Sequence, residues 1–128
     1  MFPSFRLLAI CAATVCGVLT VLGLCAPQLL PALWGVPYSE PVGLVSRRAA
    51  ALFLGIGVMF LLARDAAPSR CRTALCAGFV VASSMLAVLG AFELATGNAG
   101  PGILLAVLVE VLFAFAFLLR LYRENGRD

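Results

Sequence analysis

The sequence predicts an all-α integral membrane four-helix bundle, and three observations predict it. Of the 128 residues, 63% are hydrophobic and 12% charged, with a mean hydropathy of +1.10. A soluble domain of this length carries roughly twice that charged fraction. Four apolar stretches, at about 5–25, 41–63, 73–94 and 101–121, each match the ~20 residues that cross a ~30 Å hydrocarbon core as a helix. Most of the charges fall between those stretches or at their ends. Strands are excluded, because four cannot close a barrel and open ones leave backbone groups unpaired in lipid. The length fits one transmembrane domain over residues 1–128.

The first span, 5–25, starts beside Arg6. Its apolar run exceeds the ~7–15 residues of a signal-peptide core, and no A-x-A site follows, so it reads as a retained helix. A lipoprotein cleavage at Cys25 is disfavoured by the large Leu24 before it. The connection Ala26–Glu40 is punctuated by Pro27, Pro31 and Pro37, with Leu29, Leu30, Leu33 and Trp34 at helical spacing. A short helix in the outer interface is expected there, with Trp34 and Tyr38 at headgroup depth. Ser39-Glu40-Pro41 supplies a cap and a first-turn proline for the second span. Arg47 and Arg48 then lie six and seven residues inside it, ~9–10 Å below its outer end. The third span follows Arg72. The loop Ala95–Gly100, rich in Gly and Asn, is a tight connection to the fourth.

Arginine placement sets the expected orientation. Arg6, Arg64, Arg70, Arg72, Arg120, Arg123 and Arg127 fall on one side, and only Arg47 and Arg48 on the other. The positive-inside rule puts both termini in the cytoplasm. All nine basic residues are Arg, and Ala, Gly, Leu and Val abound, a composition of GC-rich bacterial genomes. The inner membrane of a bacterium is the expected location.

Two absences exclude chemistry. With no His there is no His-based triad, general base or metal ligand. With no Lys there is no Schiff base. The cysteines give no C-x-x-C, and each pair five apart (Cys11 and Cys16, Cys71 and Cys76) points in diverging directions. They read as small hydrophobes, and no metal or cofactor is expected. The arginines sit at helix ends, not on one continuous patch, so no nucleic-acid partner is expected. Phe113, Phe115 and Phe117, two apart, spread around the last helix as packing and lipid contacts. The tail Arg123–Asp128 reads as a solvated end.

The unusual chemistry is a set of four charges within or beside the spans. Arg47, Arg48, Glu93 and Glu110 are the candidate binding residues. A charge near the centre of a span costs at least ~2.5–3.5 kcal/mol unless it meets a partner. Glu110 falls ~13 Å into a helix that begins near Pro101, and its axial offset from Arg48 is expected to be a few ångströms. Arg48 shares a stripe with Ala51, Leu52, Gly55 and Met59, and is expected to face inward to Glu110. Arg47 snorkels to headgroups or meets Glu93. Ala51 and Gly55 mark a seam for close helix approach, in this bundle or with a second copy or partner subunit. Two readings stay open: a pin between helices 2 and 4, or the lining of a cavity for a proton, an ion or an anionic headgroup.

Several elements are quotable together: Ala26-Pro27-Gln28-Leu29-Leu30, Leu33-Trp34-Gly35, Arg48-Ala49 followed by Gly55-Ile56-Gly57, and Glu110 on the last helix. In these the chain resembles a broad group of small bacterial four-span membrane proteins of unknown function, a resemblance that covers nearly its whole length and implies no activity. Small multidrug exporters fit less well, since their essential Glu is in the first helix and residues 5–25 contain no acid. The four-span glutathione and eicosanoid enzymes carry more polar residues on helix 2 than Arg47 and Arg48. The leading expectation is a membrane binding, accessory or assembly protein that holds a lipid-like molecule or partner subunit. A proton-coupled transporter using Glu110 with Arg48 as counter-charge is the alternative. A membrane enzyme with Glu110 as general acid or base comes third.

Overall fold

The computed structural model describes residues 3–126, apart from the side chain of Asn125. Arg127, one of the seven arginines used for orientation, lies outside the described residues. The helices are α1 (Phe5–Cys25), α2 (Leu29–Leu33), α3 (Glu40–Ala63), α4 (Arg70–Ala95) and α5 (Ile103–Asn125). All but α2 are long and apolar enough to cross a membrane, which marks a multi-pass membrane protein.

Serines start three of these helices. The hydroxyls of Ser4, Ser39 and Ser69 accept from the amides of Leu7, Val42 and Arg72, each satisfying one donor of a first turn. Ser69 is why α4 begins at Arg70, before the apolar stretch proper. At the start of α5 the turn residues Pro101 and Gly102 stay outside the helix, whose other end runs past Leu121 to Asn125. That extra turn carries Glu124 inside the fold.

The spanning helices pair as two antiparallel hairpins, α1 with α3 and α4 with α5. Helices in lipid gain little from apolar burial against one another, so close backbone approach decides which faces meet. On α3, Gly43, Ala50 and Gly57 are seven apart and all buried, and Ala50 and Gly57 are the ones that meet α1. A Cβ on Gly23 of α1 would meet the Ala50 Cβ at 2.7 Å, and one on Gly57 would meet the Cys16 Cβ at 3.2 Å. Thr20 uses the proximity: its hydroxyl lies 2.8 Å from the Cys16 carbonyl and 3.2 Å from the Ala50 carbonyl across the seam.

This choice turns the other small-residue stripe of α3 outward. Ala51, Leu52, Gly55 and Met59 are all exposed, and among the described residues nothing beyond its chain neighbours and its own helix backbone stands within 4 Å of a Cβ added to Gly55. Ala50→Leu is therefore expected to destabilise the hairpin by about 1–3 kcal/mol through overpacking. Ala51→Leu should leave unfolding in detergent within about 0.5 kcal/mol of the parent. Equal effects at the two positions would overturn the seam.

In the half of the bundle that holds the chain termini, called here the terminal end, Phe60 of α3 meets Phe79 and Phe117 at ring-centroid distances of 4.8 and 5.2 Å. Phe113 joins through Phe79. Phe115 points away, so the spacing of two splits the three phenylalanines between core and exterior. Phe5, Leu8, Ala9 and Ala12 of α1 and Cys76 of α4 complete this core. All five cysteines are free, and Cys16 and Cys76 are the buried ones.

At the opposite, α2 end, the two hairpins touch through their connections. The Gly100 amide donates to the Trp34 carbonyl at 2.6 Å. Gly35, with φ of 70°, packs its Cα against Gly100, and Gly102 lies against the Leu33 carbonyl with no space for a side chain. Glycine is required here for close backbone approach and, at Gly35, for the left-handed conformation. The second loop is thus more than a spacer: it is a docking point for the first. Trp34 is half-buried in that contact, and the Tyr38 phenol covers Gly43.

Candidate functional site

The four charges singled out from the sequence do not assemble. Arg47 and Arg48 both face away from the bundle. Glu110 is half-buried on the face of α5 that includes Ile103, Val107 and Phe117. No ion pair joins Arg48 to Glu110 among the described residues, so the expected pairing is corrected.

Two physical reasons account for it. It is the Ala50/Gly57 face of α3 that packs against α1, and Arg48 lies almost opposite Ala50 around the helix. The depths also differ. Phe60 and Phe117 are in ring contact; Arg48 lies ~18 Å from Phe60 along α3 and Glu110 ~10 Å from Phe117 along α5. Glu110 is therefore ~7 Å deeper than Arg48, not level with it. Arg47 and Arg48 instead stand near the level where α1 ends, since Ala50 meets Gly23 two residues before Cys25.

Glu93 turns back on its own connection and does not meet Arg47. Its carboxylate accepts from the Asn98 side chain at 2.8 Å, and its carbonyl accepts from the amides of Asn98 and Ala99 at 2.9 and 3.2 Å. It closes the α4–α5 turn. The antiparallel register that sets Gly90 against Val107 and Phe79 against Phe117 brings buried Ala87 to the level of Glu110, with buried Ser83 about one turn away.

The charged site that does form is at the terminal end. Arg72, 5% exposed, pairs with Glu124, 16% exposed, from the last turn of α5. A second Arg72 nitrogen donates to the Ala66 carbonyl at 2.8 Å, and the guanidinium carbon lies 4.2 Å over the centre of the Phe5 ring. One side chain thus links α1, the α3–α4 connection, α4 and α5, with a cation–π contact among its bonds. Arg120 Nε stands 2.9 Å from the same Glu124 oxygen, but its N–H is not aimed at it. Among the described residues, Nε of both Arg72 and Arg120 is buried without a hydrogen-bond partner. Nearby, exposed Asp65 is 3.4 Å from both Arg6 and Arg64, surface pairs of small energetic weight.

Sequence reasoning missed this site by assigning Arg72 to orientation and Glu124 to a solvated tail. A signal existed. Arg72 falls in phase with Cys76, Ser83 and Gly90, and Glu124 in phase with Phe117, Glu110 and Ile103, so both charges lie on buried stripes.

Two grooves open sideways from the bundle. One, about 210 Å³, lies between α3 and α4 and is lined by Ile56, Met59, Phe60, Leu75, Gly78 and Ala82. The other, about 240 Å³, follows α5 past Leu112, Phe115, Ala116 and Leu119 to Arg120 and Arg123, with Pro3 at its edge. Among the described residues no three metal-binding side chains gather. No family model, curated protein or solved structure matches the chain.

Proposed function

We propose that this chain is a small membrane binding or assembly protein that takes a lipid-like molecule, or a helix of a partner subunit, along its flanks. One observation carries the reading: the two hairpins are tied by polar contacts at the ends of the bundle, and the space they leave between the ends is apolar and open to the side. Ligand sites of this kind lie between helices of bundles. Orientation by the positive-inside rule puts the terminal end in the cytoplasm and α2 at the outer interface, with Trp34 and Tyr38 as anchors and Arg47 and Arg48 reaching outer headgroups. A bacterial inner membrane is the setting that the composition favours. The outward Ala51/Gly55 face is the place for a second copy or partner helix.

The test is native mass spectrometry of the protein released from its own membrane in mild detergent. Lipid or a partner chain retained at fixed stoichiometry is the expected result. A bare monomer under conditions that preserve folding would overturn the proposal. Gly55→Leu should lower any oligomer seen by sizing; an unchanged oligomer would remove α3 as its seam.

A second reading, proton-coupled transport of a small solute, is favoured by one feature. Glu110 is a half-buried carboxyl well inside α5 that meets no cation among the described residues. Reconstituted protein that moves protons or solute, and loses this in Glu110→Gln with folding intact, would replace the first reading with the second.

A further inference from the structure

We propose that Glu110 of α5 and Ser83 of α4 form a proton-binding site between the two helices, the protonated Glu110 carboxyl donating to the Ser83 hydroxyl. It names the ion and a second residue for the group that the transport reading uses, but binding needs no transport and stands or falls by itself. Three observations point to it.

The first is register. Glu110 lies on the α5 stripe of Ile103 and Phe117, and Ser83 on the α4 stripe of Cys76 and Gly90. The helices meet along these stripes: Gly90 stands against Val107 and Ile103, and Phe79 against Phe113 and Phe117. Between those two contacts Ser83 and Glu110 are about one turn apart along the axis, ~5 Å, a separation that two side chains bridge.

The second is a pair of polar groups without partners. Ser83 is 5% exposed, and its hydroxyl makes no hydrogen bond among the described residues. Thr14 and Thr20 of α1 instead donate to the carbonyl four residues back, as hydroxyls in helices commonly do. Glu110 has neither a cation nor a donor among the described residues. Polar groups buried in a span are costly until they find a partner, and each of these two is within reach of the other.

The third is what the surroundings offer. α4 brings Ser83 and Ala87 towards Glu110, and neither titrates. The buried titratable group of the other hairpin is Cys16, packed against Gly57. Arg47 and Arg48 face away, and Glu93 is held in its own turn by Asn98. Arg72, Arg120 and Glu124 stand ~15–21 Å off along the bundle. A carboxylate at this depth has no counter-charge, so the neutral acid is the form that fits. One carboxyl and one hydroxyl suffice to share a proton, whereas a divalent cation takes about six oxygens.

The experiment reads the carbonyl infrared band of a protonated carboxyl in the full chain, reconstituted in dioleoyl phosphatidylcholine vesicles, as the pH is raised. The parent should show this band at neutral pH, and Glu110→Gln should lack it. Ser83→Ala removes the acceptor at almost constant volume. It should lower the pH at which half of the band is lost by about half to one unit, the weight of one hydrogen bond to the neutral acid. No protonated band in the parent at neutral pH would overturn the site, as would a band that persists in Glu110→Gln. An unchanged or raised midpoint in folded Ser83→Ala would overturn the pairing, because a hydroxyl that served the carboxylate instead would shift it upward.

Discussion

Glu124→Gln is expected to lower the unfolding free energy by about 3–5 kcal/mol, the cost of breaking a buried pair by removing one partner. The loss is not the value of the pair itself. It arises because Arg72, 5% exposed, keeps its charge with only the Ala66 carbonyl and the Phe5 ring to face it. Arg72→Met/Glu124→Met should therefore recover most of the loss, since a well-packed apolar replacement of a buried ion pair is often neutral or better. SDS-induced unfolding from a neutral detergent, followed by circular dichroism, measures all three proteins on one scale. A Glu124→Gln protein within about 0.5 kcal/mol of the parent would mean that water reaches Arg72 and that the hub is not closed.

Gly102→Val should act at the opposite end with a loss of about 1–3 kcal/mol, the range for forcing atoms into filled space. The obstacle is the Leu33 main chain, which has no rotamer to change. The connections must separate, and with them the bond from the Gly100 amide to the Trp34 carbonyl. Faster hydrogen exchange at the Gly100 amide, with the core of α1 unchanged, is the local signature. Gly17→Ala is the matched control, because its Cβ meets nothing and an interior helical glycine gives up about 1 kcal/mol relative to alanine. A Gly102→Val protein as stable as that control would show the loop contact to be incidental.

The sequence was readable where the physics is local. Hydropathy over some twenty residues is a property of each segment alone, so α1 occupies the stretch 5–25 and Ser39-Glu40-Pro41 opens α3. Facing is not local. α3 carries two stripes of small residues, and only the matching Gly23, Cys16 and Ala13 on α1 decide that Ala50 and Gly57, not Ala51 and Gly55, are covered. Arg48 followed the wrong stripe outward for that reason. Arg72 and Glu124, fifty-two residues apart, are joined by a pairing no window along the chain contains. The contact of Leu33–Gly35 with Gly100–Gly102 is hidden in the same way: each glycine reads as a turn residue until the other loop is beside it.

The Arg72 hub also has a consequence in time. Translation delivers α1 and α3 first, and their seam uses only residues already made. Arg72 follows soon after, with the Phe5 ring and the Ala66 carbonyl already on hand, but its counter-ion is encoded fifty-two positions later, in the final turn of α5. Through those fifty-two positions of synthesis the nascent chain thus holds an unbalanced cation at a site that closes only when α5 is complete. A polypeptide ended before Glu124 would keep that cation unbalanced.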